Sequence, residues 1–235
     1  MNNESGVIAA FARNMTELAL AKGVDFQHYP TGGQDRKLLG DAVFTNTVDY
    51  SLIEFKDSIG DGFSEKNKQA RVLAVCCAVG ASDEMRELHD HCHLFAGDDE
   101  ETGEQVLFVY RHAICNRSVF PEPPEDKKTC LDLNRNDSNK IYLDEYAVGL
   151  FSRNSDHTLS ASEFNDYLTH LVKATTQGNK GVEVCLIASD TNSLGRFISV
   201  RFNTILELHN WFQAKQKIVN YSRGSRYSDP SGGPK

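Results

Sequence analysis

The stretch Leu38–Ser58, LLGDAVFTNTVDYSLIEFKDS, contains two apolar runs that decide the fold. The runs at 39–46 and 50–56 are rich in β-branched and aromatic residues, which is typical of β-strands. A short polar connection around Thr47 separates them, so we predict an antiparallel hairpin. One aspartate, one glutamate and one lysine interrupt these otherwise apolar runs, and they need a physical explanation.

The register of this hairpin determines which side chains share a face. With the turn centred between Thr47 and Val48, Asp41 lies opposite Glu54. Residues two apart in a strand share a face. One face therefore carries Asp41, Val43 and Thr45 beside Tyr50, Leu52, Glu54 and Lys56. The other face carries Ala42 and Phe44 beside Ser51, Ile53 and Phe55. Both faces are largely apolar, as in central strands that are covered on both sides. A shift of one residue would separate the two carboxylates.

In this register Asp41, Glu54 and Lys56 collect at one end of one face. Burying two carboxylates costs on the order of several kcal/mol unless they are paired or bind a metal. Two acidic groups suit Mg²⁺, which keeps part of its water shell, and a nearby lysine can orient water or stabilise a transition state. The pattern therefore suits metal-assisted phosphodiester hydrolysis. A salt-bridged edge hairpin without a metal is the alternative interpretation.

The elements around the hairpin follow a definite order. Periodicity and capping signals predict a helix at 5–22, a strand at 25–31, the hairpin, a helix at 64–80, a helical piece at 82–91, and strands at 93–96 and 105–114. This order, with Asp41 on the second strand and Glu54-Phe55-Lys56 on the third, resembles the PD-(D/E)XK nuclease superfamily. The resemblance implies an α/β fold with an αβββαβ restriction-endonuclease-like core, in which helices flank a mixed central sheet.

The resemblance also implies roles for individual residues. Asp41 and Glu54 would be metal ligands, the backbone carbonyl of Phe55 would be a further one, and Lys56 would be the catalytic lysine. Mg²⁺ is the implied cofactor, and Mn²⁺ is expected to substitute for it.

Two further candidate site residues follow from features that only some members of the superfamily have. A glutamate from the first helix makes Glu17 a candidate, although it also suits a solvated helix face. A glutamine after the third strand makes Gln69 a candidate, but Leu73 stands where those members have a tyrosine. Gly40 replaces the proline that often precedes the aspartate.

The resemblance covers the first half of the chain, and composition divides the rest. We predict a nuclease-like core at 1–115, a polar loop or boundary at 116–140, an α/β C-terminal extension at 141–220 and a disordered tail at 221–235. Within the extension, Ser160 and Glu163 form a capping box for a helix at 160–176. Strands at 182–188 and 196–202 and a helix at 203–219 complete it.

The charge is distributed unevenly along the chain. The net charge is −8, and most of the basic residues near the C-terminus lie between 196 and 226, where Glu207 is the only acid. Nucleic acid affinity depends on cations that neutralise phosphates. The candidate nucleic acid contacts are therefore Arg196, Arg201, Lys215 and Lys217. A solvated helix with a loose tail explains the same charges.

The cysteine and histidine patterns bear on metal binding and on redox state. Six cysteines without a CxxC pair, and no visible signal peptide, favour reduced thiols in a cytoplasm. The cluster His89, His91, Cys92 and His93 is too crowded to close one zinc site, so we favour a helix running into a strand. No apolar run is long enough to predict a membrane span.

The sequence therefore predicts a Mg²⁺-dependent nuclease, more specifically a DNA endonuclease. Because a chain at −8 should bind DNA weakly alone, we expect a protein partner or a homo-oligomer, as in an effector subunit of a restriction, repair or phage-defence system. The alternatives are a catalytically silent scaffold that binds a protein partner, and a nuclease directed at RNA or at particular nucleic acid structures.

Overall fold

The computed structural model describes residues 4–31, 39–131, 140–153, 156–176, 184–189, 197–202, 204–211 and 213–214. The protein has an α/β fold in which helices flank a mixed seven-stranded sheet. This architecture confirms the α/β class and the mixed central sheet that the sequence predicts. Within the described residues, no helix has the length and apolar character that crossing a membrane requires.

The main sheet contains strands from both halves of the chain. Its strands are β1 (Gln27–Pro30), β2 (Ala42–Thr45), β3 (Asp49–Ser58), β4 (His93–Asp98), β5 (Gln105–Val109), β6 (Ile141–Tyr142) and β7 (Leu159–Ser160). The spatial order is β1-β2-β3-β4-β5-β6, and β7 pairs with the beginning of β3. Only β3 and β4 are parallel, and all other pairs are antiparallel.

Helices cover both faces of the sheet. The α-helices are α1 (Glu4–Lys22), α2 (Gln69–Ala81), α3 (Asp83–Cys92), α4 (Tyr110–Ile114), α5 (Leu143–Ser152) and α6 (Ala161–Thr176). Two 3-10 helices, Ile59–Lys68 and Glu125–Leu131, precede α2 and follow α4. Crossing from β3 to its parallel neighbour β4 requires a long connection, and the first 3-10 helix, α2 and α3 supply it.

The predicted hairpin register is confirmed. Val43 lies opposite Leu52 and Ala42 opposite Ile53, as the turn position requires. Asn46 stabilises the turn, because its side-chain oxygen accepts from the amides of Val48 and Asp49 at 2.9 and 2.7 Å. This turn therefore fixes the alternation of side chains along β2 and β3.

The two faces of the hairpin contribute to two separate cores. Val43, Tyr50 and Leu52 pack with α2, α3 and α6 on one face of the sheet. Ala42, Phe44, Ile53 and Phe55 pack with α1 and α5 on the other. On this second face, Phe11 of α1 makes edge contacts with Phe44 and Phe55, with ring centroids 5.2 Å apart. Both faces of β2 and β3 are covered, as their apolar composition predicts.

Two predicted elements differ in type from what the structure shows. The helix expected at 64–80 starts as a 3-10 helix at Ile59 and becomes α-helical at Gln69. The strand expected at 105–114 ends at Val109, and Tyr110 begins the short helix α4. Tyr110 and Ile114 are fully buried, so their apolar character comes from packing in the core and does not indicate a strand.

The predicted C-terminal extension shares the main sheet with the N-terminal half. β6 pairs with β5, and β7 pairs with β3, so residues 141–160 complete the sheet of the core. The predicted strands near 182–188 and 196–202 form a separate antiparallel hairpin of β8 (Val184–Ser189) and β9 (Phe197–Phe202). Residues 205–211 form a helix that packs on the core, with Trp211 partly buried there. The predicted tail at 221–235 lies outside the described residues.

The expectation that all six cysteines are reduced thiols is wrong. Cys76 of α2 and Cys115, just past α4, form a disulfide, and Cys77 is disulfide-bonded as well. Of the cysteines whose state the structure describes, Cys92 is the free one, and it is buried. The pairing partners are 39 residues apart in sequence and meet only in the folded core, so no local spacing such as CxxC could reveal them.

Candidate metal centre

A cavity of about 670 Å³ opens where α1, the end of β3 and the first 3-10 helix meet. Its walls are mostly charged or polar. They are formed by Glu4, Ser5 and Ile8 of α1, Asp41 before β2, Lys56 and Asp57 of β3, and Asp61, Ser64, Glu65, Asn67 and Lys68 of the 3-10 helix. The buried carboxylate of Glu54 lies directly beneath it, in contact with Lys56 and Lys68. The cavity therefore brings together distant parts of the sequence.

Three carboxylates converge at this cavity. Each of Glu4, Asp41 and Glu54 offers one oxygen, and these oxygens lie within 4.8 Å of one another. Asp41 precedes β2, and its Oδ2 atom accepts from the backbone amide of Phe55 at 2.7 Å, which fixes the carboxylate against β3. Glu4 is the first residue of α1, so its carboxylate reaches the cavity from a helix and not from the hairpin. Oxygen donors at this spacing suit a hard divalent cation.

The two oxygens of Glu54 have different surroundings. Oε1 accepts from the ammonium groups of Lys56 and Lys68, both at 2.6 Å. Oε2 is buried and has no hydrogen-bond partner. A carboxylate oxygen buried without a partner is costly. Oε2 is therefore the atom of this cluster that most clearly lacks a partner.

Lys56 is surrounded by acceptors. Besides Glu54, its ammonium group donates to Glu4 Oε1 at 3.0 Å and to the backbone carbonyl of Phe55 at 2.7 Å. Burial alone would lower the pKa of Lys56, but the charges of Glu54 and Glu65 raise it above its ordinary value. Lys56 is therefore a fixed positive charge at the floor of the cavity.

Glu65 joins the cluster from the 3-10 helix. It is fully buried, and its Oε1 atom lies 3.1 Å from the ammonium group of Lys68 and 3.4 Å from that of Lys56. Its Oε2 atom accepts from the hydroxyl of Tyr110 at 3.1 Å. Two buried carboxylates and two lysines thus form one network at the wall of the cavity.

Burial and charge together set the ionisation of the acids. Burial, and then the charge of Glu54, raises the pKa of Asp41 to about 7. Burial also opposes ionisation of Glu54, but Lys56 and Lys68 outweigh it and keep the pKa of Glu54 below its ordinary value. Burial and the charge of Glu54 raise the pKa of Glu65. The negative charge is thus held mainly on Glu54, while Asp41 would ionise more readily beside a cation.

The donor set fits a divalent metal ion. A cation beside Glu4, Asp41 and Glu54 would offset the burial and the charge of Glu54 that raise the pKa of Asp41, and Glu54 has one buried oxygen without a hydrogen-bond partner. All three donors are carboxylates, which suit Mg²⁺ or Mn²⁺ better than softer metals. Within the parts of the chain that the structure describes, these three residues are the only group of acid, histidine or cysteine side chains arranged for a metal.

The structure brings some predicted site residues together and leaves others apart. Asp41, Glu54, Phe55 and Lys56 meet at the cavity. Glu17 does not: it is exposed on α1, about 20 Å along the helix axis from Glu4 at 1.5 Å per residue. The carboxylate that α1 contributes is therefore Glu4. Gln69 is exposed and does not line the cavity, where its neighbour Lys68 takes part.

The predicted nucleic acid contacts lie mostly beyond the described residues. Arg196, Lys215 and Lys217 are outside them. Arg201 lies in β9, opposite Cys185 of β8. The basic C-terminal segment remains a prediction from the sequence.

Sequence reasoning missed Glu4, Glu65 and Lys68. Glu4 has the ordinary signal of an acid in the first turn of a helix, which the helix dipole explains equally well. Glu65 and Lys68 lie in the polar run SEKNKQAR, where a charged pair three residues apart is usual on a solvated helix face. The one local hint was that this polar run lies between β3 and the strongly apolar α2.

A second buried polar group lies close to the cavity, and we call it the histidine network. It consists of His89 of α3, His93 of β4 and Tyr167 of α6. The hydroxyl of Tyr167 contacts Nδ1 of both imidazoles, and Nε2 of His93 donates to the carbonyl of Leu39 at 2.7 Å. Burial lowers the pKa of both histidines, that of His93 to about 4. The helix α3 ends at Cys92 and β4 begins at His93, so the predicted helix running into a strand is confirmed.

Comparison of the chain with protein families, with curated proteins and with solved structures finds no match. The arguments about function therefore rest on the cavity itself: three converging carboxylates, two lysines and a mixed sheet that holds them.

Proposed function

We propose that the protein is a divalent-metal-dependent nuclease that hydrolyses phosphodiester bonds, most specifically a DNA endonuclease with a PD-(D/E)XK-like core. The observation that carries this proposal is the convergence of Glu4, Asp41 and Glu54 beside Lys56. The order of α1, β1 to β3, α2 and β4 supports the restriction-endonuclease-like core, because it follows the αβββαβ pattern with α3 as an additional helix before β4.

The proposed roles follow from the contacts of each side chain. Glu4, Asp41 and Glu54 would hold Mg²⁺, and the backbone carbonyl of Phe55 would be a further ligand at the same strand end. Such an ion, when bound, lowers the pKa of water and neutralises charge on a phosphate. Lys56 supplies a fixed positive charge that can stabilise the charge developing on the phosphate or orient the attacking water.

The charge of the protein bears on substrate binding. Several acids line the cavity, and the net charge of the chain is −8, so phosphates would be repelled in the absence of a cation. A protein partner or a second copy of the chain would supply the remaining affinity. The role of an effector subunit in a restriction, repair or phage-defence system belongs to the same proposal.

One experiment tests the proposal directly. Wild type, Lys56→Ala and Lys66→Ala are incubated with supercoiled plasmid in Mn²⁺, in Mg²⁺ and in EDTA at low salt. Lys66 is an exposed lysine on the same 3-10 helix and does not line the cavity, so it is the matched control. We expect metal-dependent nicking by wild type and Lys66→Ala, and a loss of about 10²- to 10³-fold in Lys56→Ala. Equal nicking by all three proteins would contradict the proposal.

The alternative is a catalytically silent scaffold. The ion pairs of Lys56 and Lys68 with Glu54 favour it, because they satisfy one carboxylate oxygen without any metal. If wild type does not cleave, thermal unfolding with and without Mn²⁺ separates the alternatives. A Mn²⁺-induced rise in Tm that Asp41→Ala abolishes indicates a metal-binding subunit that requires its partner. No rise in wild type indicates the scaffold.

A further inference from the structure

Glu54 is held by two lysines that have different surroundings. Lys56 contacts Glu4, Glu54 and the Phe55 carbonyl, and so it belongs directly to the proposed catalytic group. The ammonium group of Lys68 contacts Glu54 at 2.6 Å and Glu65 at 3.1 Å. Lys68 therefore links Glu54 of the carboxylate cluster to Glu65 of the 3-10 helix.

The residues that hold Lys68 in place are buried. Glu65 and Tyr110 are both fully buried, and the Tyr110 hydroxyl donates to Glu65 Oε2. The ring of Tyr110 stacks on His93 of β4, with centroids 4.3 Å apart. Because β4 is a central strand that pairs directly with β3, this chain of contacts returns to the strand that carries Glu54. The position of Lys68 is thus fixed by the core of the sheet.

We infer that Lys68, held by Glu65 and Tyr110, is a positioning residue that fixes Glu54 Oε1 and leaves Oε2 as the oxygen available to the metal ion. This inference rests on the proposed function, because it assigns the orientation of a proposed metal ligand. With both ammonium groups on Oε1, Glu54 can bind a cation through one oxygen without breaking either ion pair. Hydrogen-bonded partners of this kind commonly determine how ligating carboxylates are oriented.

The charges of the cluster support the same assignment. Four carboxylates surround the ammonium groups of Lys56 and Lys68, so their full ionisation leaves two negative charges that a divalent cation would balance. Without Lys68, the buried carboxylates of Glu54 and Glu65 would repel each other more strongly, and Glu54 would be free to rotate towards Lys56.

The test requires variants that keep the charge, because deleting a cation beside a metal site would by itself attract Mn²⁺. Lys68→Arg retains the charge but replaces a point-like ammonium with a planar fork that cannot sit in the same place. Tyr110→Phe removes only the hydroxyl that holds Glu65. Lys66→Arg, on the exposed side of the same 3-10 helix, is the matched control. Circular dichroism verifies that each variant is folded.

The readout is Mn²⁺ affinity measured by isothermal titration calorimetry with no nucleic acid present. We expect Lys68→Arg to bind Mn²⁺ about 10- to 100-fold more weakly than wild type. Tyr110→Phe should shift affinity in the same direction by a smaller factor, and Lys66→Arg should match wild type. If Lys68→Arg does not fold, a weaker affinity of Tyr110→Phe still supports the inference, and an unchanged one overturns it.

Cleavage kinetics give a second signature. For a positioning residue, Lys68→Arg should raise the Mn²⁺ concentration that gives half-maximal cleavage while the rate at saturating Mn²⁺ is largely retained. Lys56→Ala should instead lower the saturated rate. Wild-type affinity in both Lys68→Arg and Tyr110→Phe overturns the inference and leaves the proposed nuclease untouched. No Mn²⁺ binding by wild type overturns the metal centre and the inference together.

Discussion

Tyr110 lies between two buried groups of polar side chains, which differ in charge. On one side its hydroxyl donates to Glu65, within the cluster of Glu54, Lys56 and Lys68. On the other its ring stacks on His93 of the histidine network. The first cluster stays charged, and the second stays neutral.

An unpartnered atom does not by itself distinguish the two groups. Glu54 Oε2 and His89 Nε2 are both buried without a hydrogen-bond partner. The difference lies in charge and in access: the lone pair of a neutral imidazole is cheaper to leave unpaired than a carboxylate oxygen, and only Glu54 lies under a cavity lined by further carboxylates. Under the proposed function, the charged cluster binds a metal ion and the neutral one stabilises the fold.

The largest effect is expected from removing the central carboxylate of the charged cluster. Glu54→Gln should reduce plasmid cleavage to the level seen in EDTA and abolish the rise in Tm caused by Mn²⁺, because it removes a proposed metal ligand and the ionised partner of two lysines. Glu87→Gln, an exposed acid on α3, is the control and should behave as wild type. Cleavage by Glu54→Gln at the wild-type rate would exclude this carboxylate from the chemistry.

The histidine network should respond in the opposite way. Tyr167→Phe removes the hydroxyl that contacts both imidazoles and should lower the free energy of unfolding by about 1–3 kcal/mol, measured by urea denaturation. The rise in Tm that Mn²⁺ causes should persist. Tyr142→Phe, at a largely exposed tyrosine, should change neither quantity. A Tyr167→Phe protein of full stability that no longer responds to Mn²⁺ would reverse the assignment of the two groups.

A third comparison sets the two glutamates of α1 against each other. Glu4→Gln should weaken Mn²⁺ binding by at least about tenfold, because it removes one of three converging carboxylates. Glu17→Gln should leave the affinity unchanged, because this side chain is exposed at the far part of the helix. Titration calorimetry of both variants decides the matter, and a larger loss in Glu17→Gln would favour the assignment made from the sequence alone.

The smallest expected effect is on the pH dependence of stability, where the two groups have opposite signs. The pKa of His93 is lowered to about 4, so its contribution is present above its unfolded pKa near 6.5 and is lost as the pH falls towards 4. The pKa of Asp41 is raised to about 7, so its contribution is present below its unfolded pKa near 3.8 and is lost as the pH rises towards 7. Between pH 4 and 6.5 the two slopes oppose each other.

Removing the Asp41 carboxyl should make the opposite pH dependence from His93 visible in the free energy of unfolding. In EDTA, Asp41→Asn should show stability that rises more steeply with pH between 4 and 6.5 than that of wild type, by no more than about 1.4 kcal/mol per pH unit. Urea denaturation at several pH values measures this slope, with Glu87→Gln as the control. A slope in Asp41→Asn that is equal to or shallower than that of wild type would contradict the raised pKa.

More of the sheet than of the candidate site can be predicted from the sequence. Alternation along 39–46 and 50–56 defined the register and the two faces, because a side chain period of two is a local property. Sequence patterns do not predict that Glu4 and Glu65 reach the cavity or that Cys76 pairs with Cys115. These contacts join residues that are far apart in sequence, so no nearby residues reveal them. Lys68 was overlooked in favour of Gln69, because one residue of rotation on a helix decides which side chain reaches the cavity.

The single tryptophan of the chain gives the C-terminal helix an optical label of its own. Trp211 lies at the end of the helical residues 205–211, partly buried against the core that α2, α3 and α6 form. Its emission shifts to longer wavelength when the indole moves from apolar surroundings into water, whereas circular dichroism averages over every helix. Fluorescence and dichroism recorded on the same unfolding curve therefore separate detachment of this helix from loss of the sheet, and local opening becomes visible without any added dye.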